Sequence, residues 1–359
     1  MGMAMFGERL LRARKAAGLS LRDLAAQVDL SHAAIKKYED GAAMPSSDVL
    51  LHLAKALGVR SEYFFRPLTP ELEFVEFRKR SSLSKKREAR ISHLILDQIE
   101  RRLELEALFP KSPVAEFQVV DGLPARISSY AAIEEVADQV RARWDLGSDS
   151  IPDVIDLLES RGIRVFMVDI DGDNKFDGLQ ATVAGGPVIV VGDHWPGDRQ
   201  RFTLIHELGH LMIHDRLATG LDEEKACNRF AGAFLLPGSA VRQELGEHRT
   251  SLELQELALL KDEFGLSMQA ILYRAADLGV ISQSYFQHCM RSFKLKGWNR
   301  KEPGSEYKKE VAHLFQQMLF HALAEDYIGE SKAAELLGMP MAEFRSLRSM
   351  ENVVAAGRQ

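Results

Sequence analysis

Two cysteines in 359 residues leave this chain no disulfide framework, and their wide separation suits a protein kept in a reducing cytosol. No apolar run approaches the roughly 20 residues that a membrane-crossing helix needs. At the start, Glu8 and Arg9 arrive before any apolar core of a secretory signal has formed. Met1-Gly2 does not open a myristoylation signal, because position 6 is Phe6 where Ser or Thr is required. Internal repeats and low-complexity tracts are absent too. Nor does one sign of charge dominate: 46 Lys and Arg against 52 Asp and Glu leave a formal net charge of −6. No global field therefore draws the chain onto nucleic acid. A cytoplasmic protein is expected. What remains is 46% apolar and 27% charged residues, ordinary for a globular protein, over a length that allows two or more domains with real cores.

The most informative stretch is RFTLIHELGHLMIH, residues 201–214. On an α-helix, positions i and i+4 stand one turn apart on one face, so His206 and His210 aim two imidazoles at one point. Zn²⁺ takes nitrogen donors in tetrahedral geometry and keeps a place for water when it is catalytic. Glu207 can reach that water as a general base. Phe202, Leu204, Ile205, Leu208, Leu211, Met212 and Ile213 give the helix an apolar body. The bland alternative is an amphipathic helix that happens to carry two histidines. His214 lies one further turn along; a straight helix carries it past the metal, towards contact with a metal-binding side chain or with substrate.

Residues 222–237 form a second helical pattern, with Ala226, Phe230, Ala233 and Phe234 on one face and Pro237-Gly238 closing it. Ala231, Gly232 and Ala233 are small enough for close packing on the first helix. Glu224, which shares a face with Asn228, is the choice for a carboxylate ligand, since two His and one Glu with an open position is a catalytic zinc arrangement. Glu223 and Asp222 read as a solvated face. Cys227 reads as a small core residue, with a soft ligand as the alternative.

These two segments, with PGDR at 196–199 and PDVIDLLESRGIRVF at 152–166, resemble the metallopeptidase family of ImmA and IrrE. The resemblance spans roughly residues 70 to 345. It implies zinc ligands His206, His210 and Glu224 and a catalytic base Glu207, with Mn²⁺ as an alternative metal. Two positions depart from the family: Cys227 stands where Ala is usual, and Ile205 where Ala is common.

Residues 6–65 read as five short helices. Within LSLRDLAAQVDLSHAAIKKYEDG, residues 19–41, Ser20 and Ser31 are positioned as helix N-caps. About three residues join the two helices, the helix-turn-helix plan. Leu24, Ala25, Val28, Leu30, Ile35 and Tyr38 supply a shared core, and Leu50, Leu53, Ala54 and Leu57 a packing helix. The segment resembles the Xre/Cro-type helix-turn-helix family, which implies operator DNA as a partner. The second helix would then enter the major groove with His32, Ala33, Lys36 and Lys37 on its exposed early positions. Ser31, Arg22 and Lys15 are the candidate phosphate contacts. Ten Lys and Arg against seven Asp and Glu up to Arg66 support this only weakly. The other reading is a protein-binding module of the same fold. A fragment of residues 1–68 is expected to fold alone.

Residues 67–70 break the chain, residues 74–80 follow, and 81–108 read as a long charged helix with a stripe of Leu94, Ile95, Ile99, Leu103 and Leu105. It is a spacer, a dimer helix or the first helix of the next domain. Its cluster Lys85-Lys86-Arg87 reads as a solvated face. A helix is predicted over 133–144 and strands over 163–168, 178–184 and 187–191, giving a small sheet ahead of the HELGH helix. An edge strand there, 188–191 or 178–184, can pair with an extended peptide. Helices follow at 251–264 and 268–278, joined by Gly265-Leu266-Ser267. After a Lys-rich connector at 293–304 come helices at 307–327, 331–337 and 340–350.

The expected fold class is α+β, mostly helical. The expected division is a helix-turn-helix domain at 1–68, a long connecting helix at 69–112, a zincin-like peptidase domain at 113–290 and a helical C-terminal region at 291–359. Two functions from different classes follow. One is a DNA-binding regulator, expected as a homodimer, whose zinc endopeptidase cuts a helix-turn-helix repressor or a toxin-like protein. Glu207 is then the base, and His214 or Tyr130 the group that faces the oxyanion. The other is a repressor or antitoxin whose metal domain binds a partner or senses metal without cutting. An intact Glu207 favours the first, because a purely structural site has no use for a base.

Overall fold

The computed structural model describes residues 2–66, 76–77, 85–169, 176–183 and 186–350. The break read at 67–70, most of 74–80 and the first turn expected at 81–84 lie outside the described residues. So do Ala184 and the side chains of the basic cluster at 85–87.

In chain order the elements begin with α1 (Gly2–Ala16), α2 (Leu21–Gln27), α3 (His32–Glu39), α4 (Ser47–Leu57), β1 (Glu76–Phe77), α5 (Lys85–Glu106), α6 (Tyr130–Arg143) and α7 (Val154–Ser160). They continue with β2 (Arg164–Val168), β3 (Gly178–Val183), β4 (Gly186–Gly192), α8 (Gly197–Ile213), α9 (Glu223–Leu235), α10 (Gly238–Leu245), α11 (Leu254–Phe264), α12 (Met268–Asp277) and α13 (Gln283–Leu295). Last come α14 (Leu314–Ala324), α15 (Glu330–Leu337) and α16 (Met341–Ser349). The chain is α+β and mostly helical. Two units form: Met1–Glu76 with Arg80–Val114 and His313–Gln359, and Phe77–Lys79 with Ala115–Ala312.

In the first unit the caps work as the sequence indicates. The Ser20 hydroxyl accepts from Asp23 N and the Asp23 carboxylate accepts from Ser20 N, a capping box. Ser31 caps α3 through Ala34 N. Asp29, at φ 53°, makes the left-handed turn between α2 and α3. Phe6, Leu10, Leu24, Ile35, Leu53 and Phe64 are fully buried together. The fifth expected helix is a 3₁₀ turn over Ser61–Phe65. α1 crosses α3 so closely that a Cβ on Gly7 would lie 2.4 Å from the Glu39 carbonyl oxygen.

α5 packs on α1 and α14, which places the stripe residues Ile95, Ile99 and Leu105 in the interior of this unit. The Arg9 guanidinium is buried there, donating to Glu100 Oε1 at 2.8 Å and to the Arg66 carbonyl at 3.1 Å. Burial alone would lower the Arg9 pKa; the Glu100 hydrogen bond and charge outweigh it and raise it. Arg66 in turn reaches Glu104 at 3.1 Å and Asp97 and Glu335 at 3.4 Å. Leu319, Ala322, Leu336 and Phe344 of α14–α16 close a small core with Leu105.

The second unit is built on a sheet of order β1-β3-β4-β2. β4 pairs parallel with β2, Arg164 opposite Val188, and antiparallel with β3, Ala181 opposite Val188. A strand buried on both faces reads as a continuous apolar run, and β4 is buried from Pro187 to Gly192. This corrects one expectation: 188–191 is no edge, because ladders run along both its sides. β3 is no edge either, since it lies between β1 and β4; among the described residues the outer strands are β1 and β2. α8 lies against β3 and β4, and α9 is sandwiched between α8 and α6.

The helix expected over 307–327 is shorter, and α14 begins at Leu314. Glu310 explains the difference. Its carboxylate accepts from Val154 N at 2.8 Å and Ile155 N at 3.3 Å, capping α7, and pairs with the fully buried Arg201 at 2.5 Å. These charge-assisted bonds outweigh local helix propensity and hold the segment against α7 and α8.

Candidate metal centre and nucleic-acid interface

α8 enters the interior of the second unit by its whole length. Leu204, Ile205, Leu208, Met212 and Ile213 are buried, while Phe202 and Leu211 are half-buried. That packing fixes the rotation of the helix, and with it the direction of His206, Glu207 and His210. His206 Nε2 and His210 Nε2 stand 3.1 Å apart. Two nitrogens bound tetrahedrally at about 2.0–2.1 Å would be about 3.3 Å apart.

Both rings are held from behind. His206 Nδ1 lies 2.8 Å from Asn228 Oδ1, and His210 Nδ1 lies 2.7 Å from Glu223 Oε1. An oxygen acceptor at Nδ1 draws the ring proton there, so each Nε2 presents its lone pair. Two lone pairs aimed into one small space suit a cation between them. The Glu224 carboxylate faces the same space, 3.4 Å from His206 Nε2 and 3.6 Å from His210 Nε2. The chemistry of these donors therefore fits a divalent metal.

Glu223, read from sequence as solvated, is tied into the site instead. Its Oε1 also receives His214 Nδ1 at 2.6 Å. Burial pushes this carboxyl up, but the two imidazole hydrogen bonds outweigh it and hold it below the usual glutamate range. The available signal was position: a first-turn acid on α9 facing two histidines spaced i, i+4. His214 begins a 3₁₀ turn just past α8, which aims it at Glu223 and makes it an anchor for the carboxylate behind His210. Asp222 caps α9 through Lys225 N, and Asp222 N donates to the Tyr130 hydroxyl at 3.2 Å.

Glu207 is buried beside β3. A Cβ added to Gly178, the first residue of that strand, would stand 2.7 Å from Thr203 Cγ2 and 3.3 Å from Glu207 Oε1. Glycine thus lets the strand run against the helix at the level of the carboxylate. Gly209 of α8 acts likewise towards α9: a Cβ there would stand 3.2–3.4 Å from Phe230 and Cys227.

Residues 158–276 match the family model described as the IrrE N-terminal-like domain, and residues 5–62 match one described as a helix-turn-helix domain. The chain joins a helix-turn-helix domain to an ImmA/IrrE-family domain. The ImmA/IrrE-family match contains all of α8 and α9, and so the whole histidine–glutamate cluster. No curated protein matches the chain. Among the described residues no helix is long and apolar enough to cross a membrane.

In the helix-turn-helix domain, Ser31, His32, Ala33, Lys36 and Lys37 are exposed along α3, and Arg22 and Lys15 are exposed on α2 and α1. Lys36 pairs with Asp40 one turn on, leaving Lys37 and His32 the less engaged of the early side chains. Ile35 faces inward, fully buried. The Arg14 guanidinium, 2.9 Å from Glu39 Oε2 and from the Leu19 carbonyl, locks α3 to α1.

Proposed function

We propose that this protein is a DNA-binding regulator whose ImmA/IrrE-family domain is a metal-dependent endopeptidase acting on a helix-turn-helix repressor or a toxin-like protein. One observation carries the reading: two Nε2 atoms 3.1 Å apart, both rings backed by oxygen acceptors, faced by Glu224 and with Glu207 on the same helix. His206, His210 and Glu224 would hold the metal. Zinc, or manganese in its place, supplies Lewis acidity and brings the pKa of water towards neutrality.

The chain's own residues do the rest. Glu207 takes a proton from the attacking water on its carboxylate and passes it to the leaving amine. Burial beside Gly178 keeps that carboxylate in one place. Tyr130 accepts from Asp222 N, so its own O–H can donate to a developing oxyanion; His214, with Nδ1 committed to Glu223, has Nε2 to offer. His32 and Lys37 read base edges, while Arg22, Lys15 and Ser31 touch phosphates. A single such module reads a half-site, which supports a homodimer on operator DNA in the cytoplasm.

The test combines purified protein, Zn²⁺ or Mn²⁺, and the helix-turn-helix or toxin-like product of a neighbouring gene. The wild type should cut it, and Glu207→Gln should bind metal yet cut at least about a hundredfold more slowly, the scale of a lost general base. Equal rates would remove Glu207 from the mechanism. No cutting with any metal or candidate would favour a repressor or antitoxin that binds a partner or senses metal.

A further inference from the structure

Cys227 has no part in the chemistry above. It is fully buried on α9, three residues beyond Glu224 and so on the same helix face. Among the described residues, the donor atoms of His206, His210 and Cys227 all lie within 4.8 Å of one another. Cys227 faces Gly209 across the close α8–α9 contact: a Cβ on that glycine would be 3.4 Å from Cys227 Cβ.

A thiolate at about 2.3 Å and an imidazole nitrogen at about 2.0–2.1 Å from one tetrahedral ion lie about 3.6 Å apart. The sulfur therefore has to close by at most about 1.2 Å from its present limit, within the reach of a χ1 adjustment. Resting on the reading that His206, His210 and Glu224 bind a divalent metal, we propose that Cys227 is a further donor. The resting site is then a closed set of two imidazoles, a carboxylate and a thiolate. On binding, the sulfur–metal bond forms and the S–H proton leaves to solvent. Two consequences follow. A thiolate shifts preference towards softer ions. A closed site also has no place for water until one donor withdraws, and Glu224, whose side chain is 56% exposed against a fully buried cysteine, is the donor that can swing out.

The experiment is a Co²⁺ titration of the metal-free full-length protein, followed by absorbance. The wild type should show weak visible d–d bands of a tetrahedral site together with an intense near-ultraviolet thiolate-to-cobalt band. Cys227→Ala should lose the near-ultraviolet band and keep the visible ones, while Cys289→Ala should keep both. X-ray absorption of the zinc-loaded wild type, which needs no variant, should show one sulfur at about 2.3 Å. Visible bands without the charge-transfer band, or a shell of nitrogen and oxygen alone, overturn the cysteine assignment and leave the metal site standing. Absence of all cobalt bands overturns the metal reading itself, and this inference with it.

Discussion

His206 rests on the amide of Asn228, whereas His210 rests on a carboxylate that it shares with His214. That asymmetry separates the roles of three neighbouring acids. Glu224 faces the Nε2 atoms, so Glu224→Ala should remove most of the metal affinity. Glu223 sits behind a ring, where loss of such a partner typically costs about 10–100-fold in affinity; Glu223→Ala should weaken binding on that scale. Glu207→Gln should leave affinity nearly unchanged. Competition with a chromophoric chelator would rank the three, and a Glu223→Ala protein that binds metal like wild type would refute the anchoring role. On the DNA side, Lys37→Ala should cost about 1–3 kcal/mol on one operator if it reads a base. Arg22→Ala should weaken binding to all duplexes and reduce the salt slope by about one. Mobility shifts at two salt concentrations distinguish them.

Helix starts and stops were mostly legible in the sequence because they are local. Ser20, Ser31, Ser46 and Ser267 cap the helices that follow them, and Gly58, Gly265 and Gly338 end others in the left-handed conformation. Residues 307–312 were not legible, because Glu310 answers to Arg201 and to the N-terminus of α7, partners more than a hundred positions away. The edge strand was not legible: strand existence is local, but which strand lies outermost depends on pairing, and both expected strands lie inside the order. Close crossings give a test at this scale. Gly7→Ala pushes a methyl group into the α3 backbone, and such overpacking typically costs about 1–3 kcal/mol. A lower thermal midpoint for the helix-turn-helix unit, with metal affinity unchanged, is expected; an unshifted midpoint would mean that α1 and α3 can separate without penalty.

The two units should respond differently to metal removal. A ligand present at about a thousand times its Kd stabilises the folded state by about 4 kcal/mol, and the proposed metal donors all belong to the second unit. Chelation should therefore lower one calorimetric transition and leave the other in place. The first unit also bears on where a DNA-binding fragment can be cut. Arg9 and Arg66 pair with Glu100, Asp97 and Glu104 of α5, and α5 also packs on α1. A fragment of residues 1–68 should accordingly be less stable to urea than one of residues 1–109.

The sequence alone determined what is set by short spacing: two imidazoles on one helix face with a carboxylate on the same helix, further acids on the following helix, and a capped helix pair with exposed His32 and Lys37. Residues four apart on a helix must share a face whatever the rest of the chain does. Only the tertiary structure decided that Glu223 backs His210, that Gly178 brings β3 against Glu207, that Cys227 looks into the histidine cluster and that α14–α16 pack on α5. Each of those contacts joins segments remote in sequence. Their partners are chosen by which apolar faces bury one another, and no local pattern records that choice.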